Sequence, residues 1–130
     1  MNNFKDSDIT DQIIKAFFTV YNSLGYGFLE KVYENAMLIE LDKIGIEARS
    51  QVPVKVLYEG KEVGNYYADL LVEKMVIVEL KSSEDLCEEH EAQLLNYLRA
   101  TDVEVGLLLN FGKTAQIKRK VFNNEYKKQK

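Results

Sequence analysis

The stretch Met75-Val76-Ile77-Val78-Glu79-Leu80-Lys81 is rich in β-forming residues and almost continuously hydrophobic until it ends in charged side chains. Such a run is typical of a central strand that is buried on both faces. Before it, the turn Glu59-Gly60-Lys61 separates two further strands and predicts a hairpin. After it, a helical segment and another apolar strand predict a strand–helix–strand unit. We therefore expect this stretch to lie near the centre of a sheet.

The periodicity of apolar residues predicts the other elements. Ser7 or Asp8 can cap a first helix, and Gly45 ends the second. We predict helices over residues 7–23, 29–44 and 84–100, and strands over residues 46–58, 63–72, 75–80, 103–110 and 116–122. The resulting order, ααβββαββ, predicts an α/β fold in which helices flank a central mixed sheet.

Length and composition indicate one domain without a membrane-spanning segment. The chain has 130 residues, of which 46% are hydrophobic and 29% charged, the balance of a soluble globular protein. We expect a single domain over residues 1–122 and a basic polar tail over residues 123–130. No apolar run approaches the roughly 20 residues of a membrane-spanning helix. Because Cys87 is the only cysteine, an internal disulfide and a multi-cysteine zinc site are excluded, and a cytoplasmic location is expected.

Charge is distributed unevenly along the chain. Residues 113–130 carry seven basic side chains and one acidic one, whereas residues 1–112 carry ten basic and twenty acidic ones. An acidic body with a basic end is not the pattern of a protein that coats nucleic acid. It suits a protein that holds cations in an acidic site and contacts phosphates locally. The run Lys118-Arg119-Lys120 could clamp a phosphodiester backbone, or could be a strand with alternating outward charges.

Three charged residues stand where the strand pattern requires core side chains. Asp69 interrupts the second strand, and Glu79 and Lys81 end the third, where alternate residues share one face. A two-residue turn between these strands would pair Asp69 with Val78, whereas a three-residue turn or a bulge would pair it with Glu79. We expect the second arrangement, because it gathers two carboxylates and an ammonium group on one face.

Such a cluster has a chemical use. Two buried carboxylates repel each other, and Mg²⁺ or Mn²⁺ would remove that conflict because these ions prefer oxygen ligands. The neighbouring lysine could stabilise charge developing on a phosphodiester, or orient and help to deprotonate the attacking water. The alternative is a structural ion pair between Lys81 and either Glu79 or Asp69.

Two helices carry further residues that suit the same site. In the third helix, Gln93 and Tyr97 are four residues apart and therefore share a face. Around the start of the second helix, Gly27, Glu30 and Tyr33 form the pattern G-x-x-E-x-x-Y. The alternatives are a favourable charge at a helix N-terminus for Glu30 and ordinary core packing for the two tyrosines.

These motifs resemble those of a known family. The segment from Gly27 to Tyr33 resembles the signature of the GxxExxY family, a branch of the PD-(D/E)XK nuclease superfamily with a restriction-endonuclease-like fold. Tyr67-Ala68-Asp69 followed by Val78-Glu79-Leu80-Lys81 resembles the D…ExK core of the superfamily, with alanine in place of its proline. Gln93-Leu94-Leu95-Asn96-Tyr97 resembles the QxxxY motif of RecB-type members. The resemblance extends from the first helix to residue 122.

The resemblance implies a metal site and a catalytic residue. Asp69 and Glu79 would ligate Mg²⁺ or Mn²⁺, with the backbone carbonyl of Leu80 as a further ligand. Glu30 would reach the same metal directly or through a water molecule. Lys81 would be the catalytic lysine.

The resemblance also implies the function. Gln93 and Tyr97 would position the lysine, metal-bound water or a substrate phosphate during hydrolysis of phosphodiester bonds, with DNA as the expected substrate. Because the superfamily includes relatives that only bind, a module that holds nucleic acid or a protein without cutting is the alternative. A small accessory protein with a structural acidic cluster is a third reading. A chain of this size has little surface to grip a duplex, so a homodimer or a larger complex would suit it.

Overall fold

The structure, a computed structural model that describes residues 7–127, has the predicted order of elements. These elements are α1 (Ser7–Leu24), α2 (Glu30–Lys43), β1 (Ala48–Tyr58), β2 (Lys61–Val72), β3 (Val76–Lys81), α3 (Glu88–Ala100), β4 (Val105–Phe111), β5 (Ala115–Val121) and a 3₁₀ turn (Asn124–Tyr126). The order ααβββαββ is thereby confirmed, as is a mixed sheet flanked by helices. None of the helices in residues 7–127 combines the length and apolarity needed to cross a membrane.

The five strands form one sheet with β3 at its centre. The strand order is β1-β2-β3-β4-β5, and all neighbours are antiparallel except β3 and β4, which are parallel and joined through α3. Every residue of β3 except Lys81 is buried, as predicted for a central strand. Helices α1 and α2 cover one face, where Phe17, Tyr33 and Phe111 are fully buried, and α3 covers the other face around Leu94 and Leu98.

Within the β1–β2 hairpin, the regular alternation of side chains between the two faces of the sheet is interrupted. Leu70 packs in the α1/α2 layer, whereas Ala68, two residues earlier in β2, packs in the α3 layer. In a regular strand these two side chains would share a face. The alternation is therefore interrupted between them, at Asp69, and opposite this point in β1 stands Gln51, whose backbone is left-handed with φ 53°. The outer half of the hairpin, residues 52–68, consequently faces α3.

The third helix begins four residues later than predicted, at Glu88 instead of residue 84. Cys87 has extended backbone (φ −130°, ψ 171°) and forms the N-cap. Side chains from the sheet bind the preceding backbone: Asn110 Oδ1 accepts from the N–H of Ser83 at 3.0 Å, and Gln116 Oε1 accepts from the N–H of Leu86 at 3.2 Å. These tertiary bonds offer the segment an alternative to helical hydrogen bonding, which sequence periodicity does not show.

The first residues of the predicted tail pack against the loop between α3 and β4. Lys127 Nζ donates to the carbonyl oxygens of Thr101 at 2.9 Å and Val103 at 2.7 Å. Asn124 Nδ2 donates to the carbonyl oxygen of Asp102 at 2.9 Å. Residues 1–6 and 128–130, which include parts of the predicted domain and tail, lie outside the described residues.

Candidate active site

A three-residue turn brings Asp69 beside Glu79, as the sequence analysis expects. Residues 73–75 connect β2 to β3, and the register pairs Leu70 with Val78 and Val72 with Val76. Continuing this register by one residue places Asp69 opposite Glu79. The two carboxylates thus come together at the point where the β2–β3 pairing ends.

Carboxylates replace backbone hydrogen bonds at this point. The backbone N–H of Asp69 donates to Glu79 Oε2, and the backbone N–H of Leu80 donates to Asp69 Oδ2, both at 2.8 Å. Each carboxylate is therefore fixed by the backbone of the neighbouring strand. Within residues 7–127, no hydrogen bond reaches the other oxygens, Asp69 Oδ1 and Glu79 Oε1. One oxygen of each group thus remains available for a further ligand.

Burial makes the ionised forms of both carboxylates unfavourable. Glu79 is only 3% exposed. This burial, followed by the negative charge of Asp69, raises the pKa of Glu79 to about 8. The pKa of Asp69 is also raised, first by burial, despite the hydrogen bond from the backbone of Leu80. Without a cation, the pair therefore favours holding a proton near neutral pH.

Lys81 is directed toward α3 instead of pairing with a carboxylate. Its Nζ donates to Gln93 Oε1 at 3.5 Å. Among residues 7–127, no salt bridge joins Lys81 to Asp69 or Glu79, so the alternative of a structural ion pair is not what the structure contains. The lysine charge still lowers the pKa of both carboxylates, but less than burial raises it. Lys81 and Gln93 therefore meet beside the carboxylate pair.

Tyr97 lies on the same face of α3, one turn after Gln93. Its ring is 6% exposed, and burial, followed by the charges of Glu79 and Asp69, raises the pKa of its hydroxyl to about 12. The phenol is thus protonated at all physiological pH values and is a hydrogen-bond donor near the carboxylates. The structure brings both residues of the predicted Q-x-x-x-Y spacing to the site.

The N-terminal turn of α2 adds two acidic side chains. Glu30 is the first residue of the helix, and its negative charge raises the pKa of both Asp69 and Glu79. Glu34, four residues later, is 3% exposed, and its charge raises the pKa of Asp69 more than Glu30 does. Glu34 is not among the site residues predicted from the sequence. The available signal was its i+4 spacing from Glu30, which places both side chains on one helix face.

Gln51 connects the buried Glu34 to the hairpin. Its Nε2 donates to Glu34 Oε1 at 2.7 Å, while Lys31 Nζ donates to Glu34 Oε2 at 2.6 Å. Gln51 is opposite Asp69 and has a left-handed backbone, which costs free energy for a residue with a Cβ. Such strain is concentrated at functional sites, and the sequence analysis had no signal for it because glutamine is not a typical turn residue.

Gly27 and Tyr33 support the site from the loop between α1 and α2. Gly27 has φ 109°, a region that favours glycine. Tyr33 is fully buried, and its hydroxyl donates to the carbonyl oxygen of Gly25 at 2.7 Å and accepts from the N–H of Phe28 at 3.1 Å. Its ring stacks on Phe111 at 4.0 Å between centroids. Tyr33 is thus a packing residue that fixes the loop leading to Glu30.

The three basic residues of β5 do not form one strip. Lys118 pairs with Leu108, which packs in the α3 layer, whereas Arg119 pairs with Leu107 of the α1/α2 layer. Lys120 Nζ lies 2.6 Å from Glu91 Oε1 of α3. Lys118 and Lys120, two residues apart in β5, therefore share one face and Arg119 lies on the other. Contact of these residues with a phosphodiester backbone stays a prediction.

The carboxylate pair fits a divalent cation. Among residues 7–127, no group of three or more histidine, cysteine, aspartate or glutamate side chains is arranged to hold a metal. Mg²⁺, however, is usually bound by one or two carboxylates together with water and substrate phosphates. Asp69 and Glu79 offer two such oxygens, and their mutual repulsion would be relieved by the added positive charge.

Comparisons with known proteins agree with this architecture. A family model for the PD-(D/E)XK nuclease superfamily matches residues 7–121. The crystal structure of SSO0001 is similar, with a TM-score of 0.54, 18% sequence identity and coverage of 72% of this chain. The chain spans 50% of the length of SSO0001, and the likeness concerns the fold alone. No curated protein matches the chain.

Proposed function

Since this chain belongs to the PD-(D/E)XK nuclease superfamily, we propose that it is a metal-dependent nuclease that hydrolyses phosphodiester bonds of DNA. Asp69 and Glu79 hold Mg²⁺ or Mn²⁺, and Lys81 assists the attack of water. The observation that carries this proposal is the buried carboxylate pair, in which each group is fixed by a backbone N–H and keeps one oxygen available. If two buried carboxylates served only a structural role, a cationic side chain would be expected to pair with them. The nearby Lys81 instead donates its hydrogen bond to Gln93.

The protein side chains would bind and orient the reacting groups. A bound Mg²⁺ would supply Lewis acidity and lower the pKa of a coordinated water. Lys81, held beside the pair by Gln93, would place its ammonium group against a phosphate oxygen and stabilise the charge that develops there. The protonated hydroxyl of Tyr97 would donate a hydrogen bond to the same phosphate or to the water. Water would form a bond to phosphorus as the bond to the leaving sugar oxygen breaks, with a proton of the water passing to solvent and the leaving oxygen taking up a proton from solvent.

The acidic residues of α2 would complete the site. Glu30 lies at the exposed start of the helix and would reach the metal directly or through water. Glu34 is buried and already bonded to Lys31 and Gln51, so it would orient the surrounding groups and add negative potential.

A nuclease assay with single variants tests this proposal. Wild type, Lys81→Ala, Asp69→Asn and Glu79→Gln are incubated with end-labelled linear DNA and circular DNA in Mn²⁺. We expect wild type to cleave and each variant to lose about 100-fold or more of the rate, the usual effect of removing one group that stabilises the transition state. Lys15→Ala, which removes an exposed lysine of α1, is the matched control and should retain the wild-type rate.

The same assay separates the enzyme from the alternative, a module that binds nucleic acid or a protein without cutting. Binding of DNA by folded wild type without metal, with no cleavage of DNA or RNA in Mg²⁺ or Mn²⁺, would favour that module. Cleavage that persists at the wild-type rate in Lys81→Ala would contradict the role assigned to this lysine. Cleavage of RNA but not of DNA would change the substrate and leave the site assignment intact.

A further inference from the structure

A groove lies between α3 and the outer half of the β1–β2 hairpin. It has a volume of about 650 Å³, which is within the range of small-ligand sites. Val56, Leu57 and Tyr66 form its wall on the hairpin, and Ala92 and Asn96 are among the residues that form its wall on the helix. The interrupted alternation at Asp69 turns this part of the hairpin toward α3 and so creates the groove.

The groove shares two of its lining residues with the candidate active site. Gln93 and Tyr97 line it, and the same Gln93 accepts the hydrogen bond from Lys81 Nζ. Tyr97 is close enough to Glu79 and Asp69 for their charges to raise its pKa. A molecule bound in the groove would therefore contact residues that also surround the carboxylate pair.

The walls of the groove suit a flat, uncharged ring. Tyr66 is 50% exposed, and the centroid of its ring is 6.0 Å from that of Tyr97 at an interplanar angle of 42°. The charged residues that line the groove are Glu89 and Arg99, whose charges cancel. The guanidinium carbon of Arg99 lies 5.3 Å from the centroid of the Phe122 ring. Aromatic faces with nearby amides are the elements that proteins use to stack and read unpaired bases.

We infer that this groove binds an unpaired nucleobase of the substrate next to the phosphate that is cleaved. The inference rests on the proposed nuclease function and names its substrate class: single-stranded nucleic acid, or a duplex with unpaired nucleotides at the cut. A base inside an intact duplex is paired and stacked, so it reaches such a groove only after it is flipped out. Tyr66 supplies the stacking face, and the amides of Gln93 and Asn96 contact the edge of the base.

Binding without metal tests the groove separately from cleavage. The probe is a single-stranded DNA oligonucleotide with a fluorescent adenine analogue whose emission falls when the base stacks, compared with a blunt duplex of the same sequence. Wild type should bind the single strand more tightly and quench its emission. Tyr66→Ala should weaken binding roughly 5- to 100-fold, as expected when one base loses its aromatic partner. Tyr66→Phe keeps the ring and should retain binding and quenching.

Two further variants test the groove from its other wall and control for a general loss of structure. Ala92→Leu fills the groove from α3 with a good helix former and should also weaken binding. Tyr67→Ala removes a neighbouring tyrosine of similar exposure, 52%, from the opposite face of the strand, and should bind as wild type does.

The outcomes distinguish this inference from the proposed function. If wild type cleaves DNA in Mn²⁺ but Tyr66→Ala and Ala92→Leu bind the single strand normally, the groove assignment is wrong and the nuclease stands. If single-strand binding depends on Tyr66 but neither wild type nor any variant cleaves DNA, the groove assignment is supported and the nuclease proposal fails. Equal binding of the blunt duplex, or no binding of the single strand, would overturn the groove assignment.

Discussion

Asp69 and Glu79 are linked through the backbone of each other's strands. The N–H of Asp69 donates to Glu79 Oε2, and the carboxylate of Asp69 accepts from the N–H of Leu80, both at 2.8 Å. These bonds take the place of regular pairing at the end of the β2–β3 ladder. The position of each carboxylate thus depends on the path of both strands.

A divalent cation should stabilise the folded protein through this pair. A metal that binds only the native state at about 100 times its Kd adds roughly 2.7 kcal/mol to the free energy of unfolding. We expect Mn²⁺ to raise the Tm of wild type and to have little effect on Asp69→Asn or Glu79→Gln. Thermal unfolding with Mn²⁺ and with a chelator measures this difference.

The control for metal stabilisation is Glu62→Gln. Glu62 is a half-exposed carboxylate of the hairpin that lies 4.0 Å from Lys55 and far along β2 from Asp69. This variant should retain the full Tm increase in Mn²⁺. An equal increase in wild type and in both site variants would show that the metal binds elsewhere.

The stability of the metal-free protein should fall as pH rises. The pKa of Glu79 is about 8 in the folded protein, above its usual value of 4.5, so the native state binds a proton more tightly than the unfolded chain. The resulting stabilisation is fully present below about pH 4.5 and is lost as pH rises through about 8. The raised pKa of Asp69 acts in the same direction. Urea unfolding in a chelator at several pH values measures this trend.

Glu79→Gln provides the comparison for the pH dependence. Glutamine cannot ionise, so the free energy of unfolding of this variant should decline less than that of wild type between pH 5 and 9. Because a metal ion competes with the proton, Mn²⁺ affinity in wild type should increase over the same range. Identical pH profiles for the two proteins would rule out Glu79 as the titrating group.

Substitutions at Gln51 should separate backbone strain from hydrogen bonding. Both Gln51→Ala and Gln51→Gly remove the bond to the buried Glu34, which is worth about 1.5–3 kcal/mol for a charged acceptor. Only glycine adopts φ 53° without a steric cost, so Gln51→Gly should be about 1 kcal/mol more stable than Gln51→Ala. Urea midpoints measure the difference. If Gln51→Ala were more stable than Gln51→Gly, the backbone at this position would not be strained.

Removal of the Tyr33 hydroxyl should loosen the start of α2. Tyr33→Phe leaves the carbonyl of Gly25 and the N–H of Phe28 without their partner, at a cost of about 1–3 kcal/mol. Cleavage should also decline, because this loop positions Glu30. Tyr26→Phe, at a tyrosine that is 56% exposed, should change stability by less than about 0.5 kcal/mol. Equal effects of the two substitutions in urea unfolding would show that the Tyr33 hydroxyl does not fix the loop.

The motif-based part of the site was predictable because its spacing is local. Strand alternation places Glu79 and Lys81 on one face, and helical spacing joins Gln93 to Tyr97. Parity left two registers open for the β2–β3 turn; the one that places Asp69 beside Glu79 was expected because it gathers the charged side chains on one face, and the structure confirms it. The buried Glu34 was not predicted, because its burial depends on how α2 packs against the end of the sheet.

The sequence by itself determined the order of the elements and the central position of β3, because these depend on periodicity over short distances; of the two turn lengths that it left open between β2 and β3, the structure contains the one that pairs Asp69 with Glu79. Only the tertiary structure decided the start of α3 at Glu88, the left-handed Gln51 and the groove beside Tyr66. Each of these arises from contacts between segments distant in sequence: side chains of β4 and β5 bind the loop before α3, and the hairpin changes face opposite Asp69. Local propensity carries no information about such contacts, so packing alone fixes them.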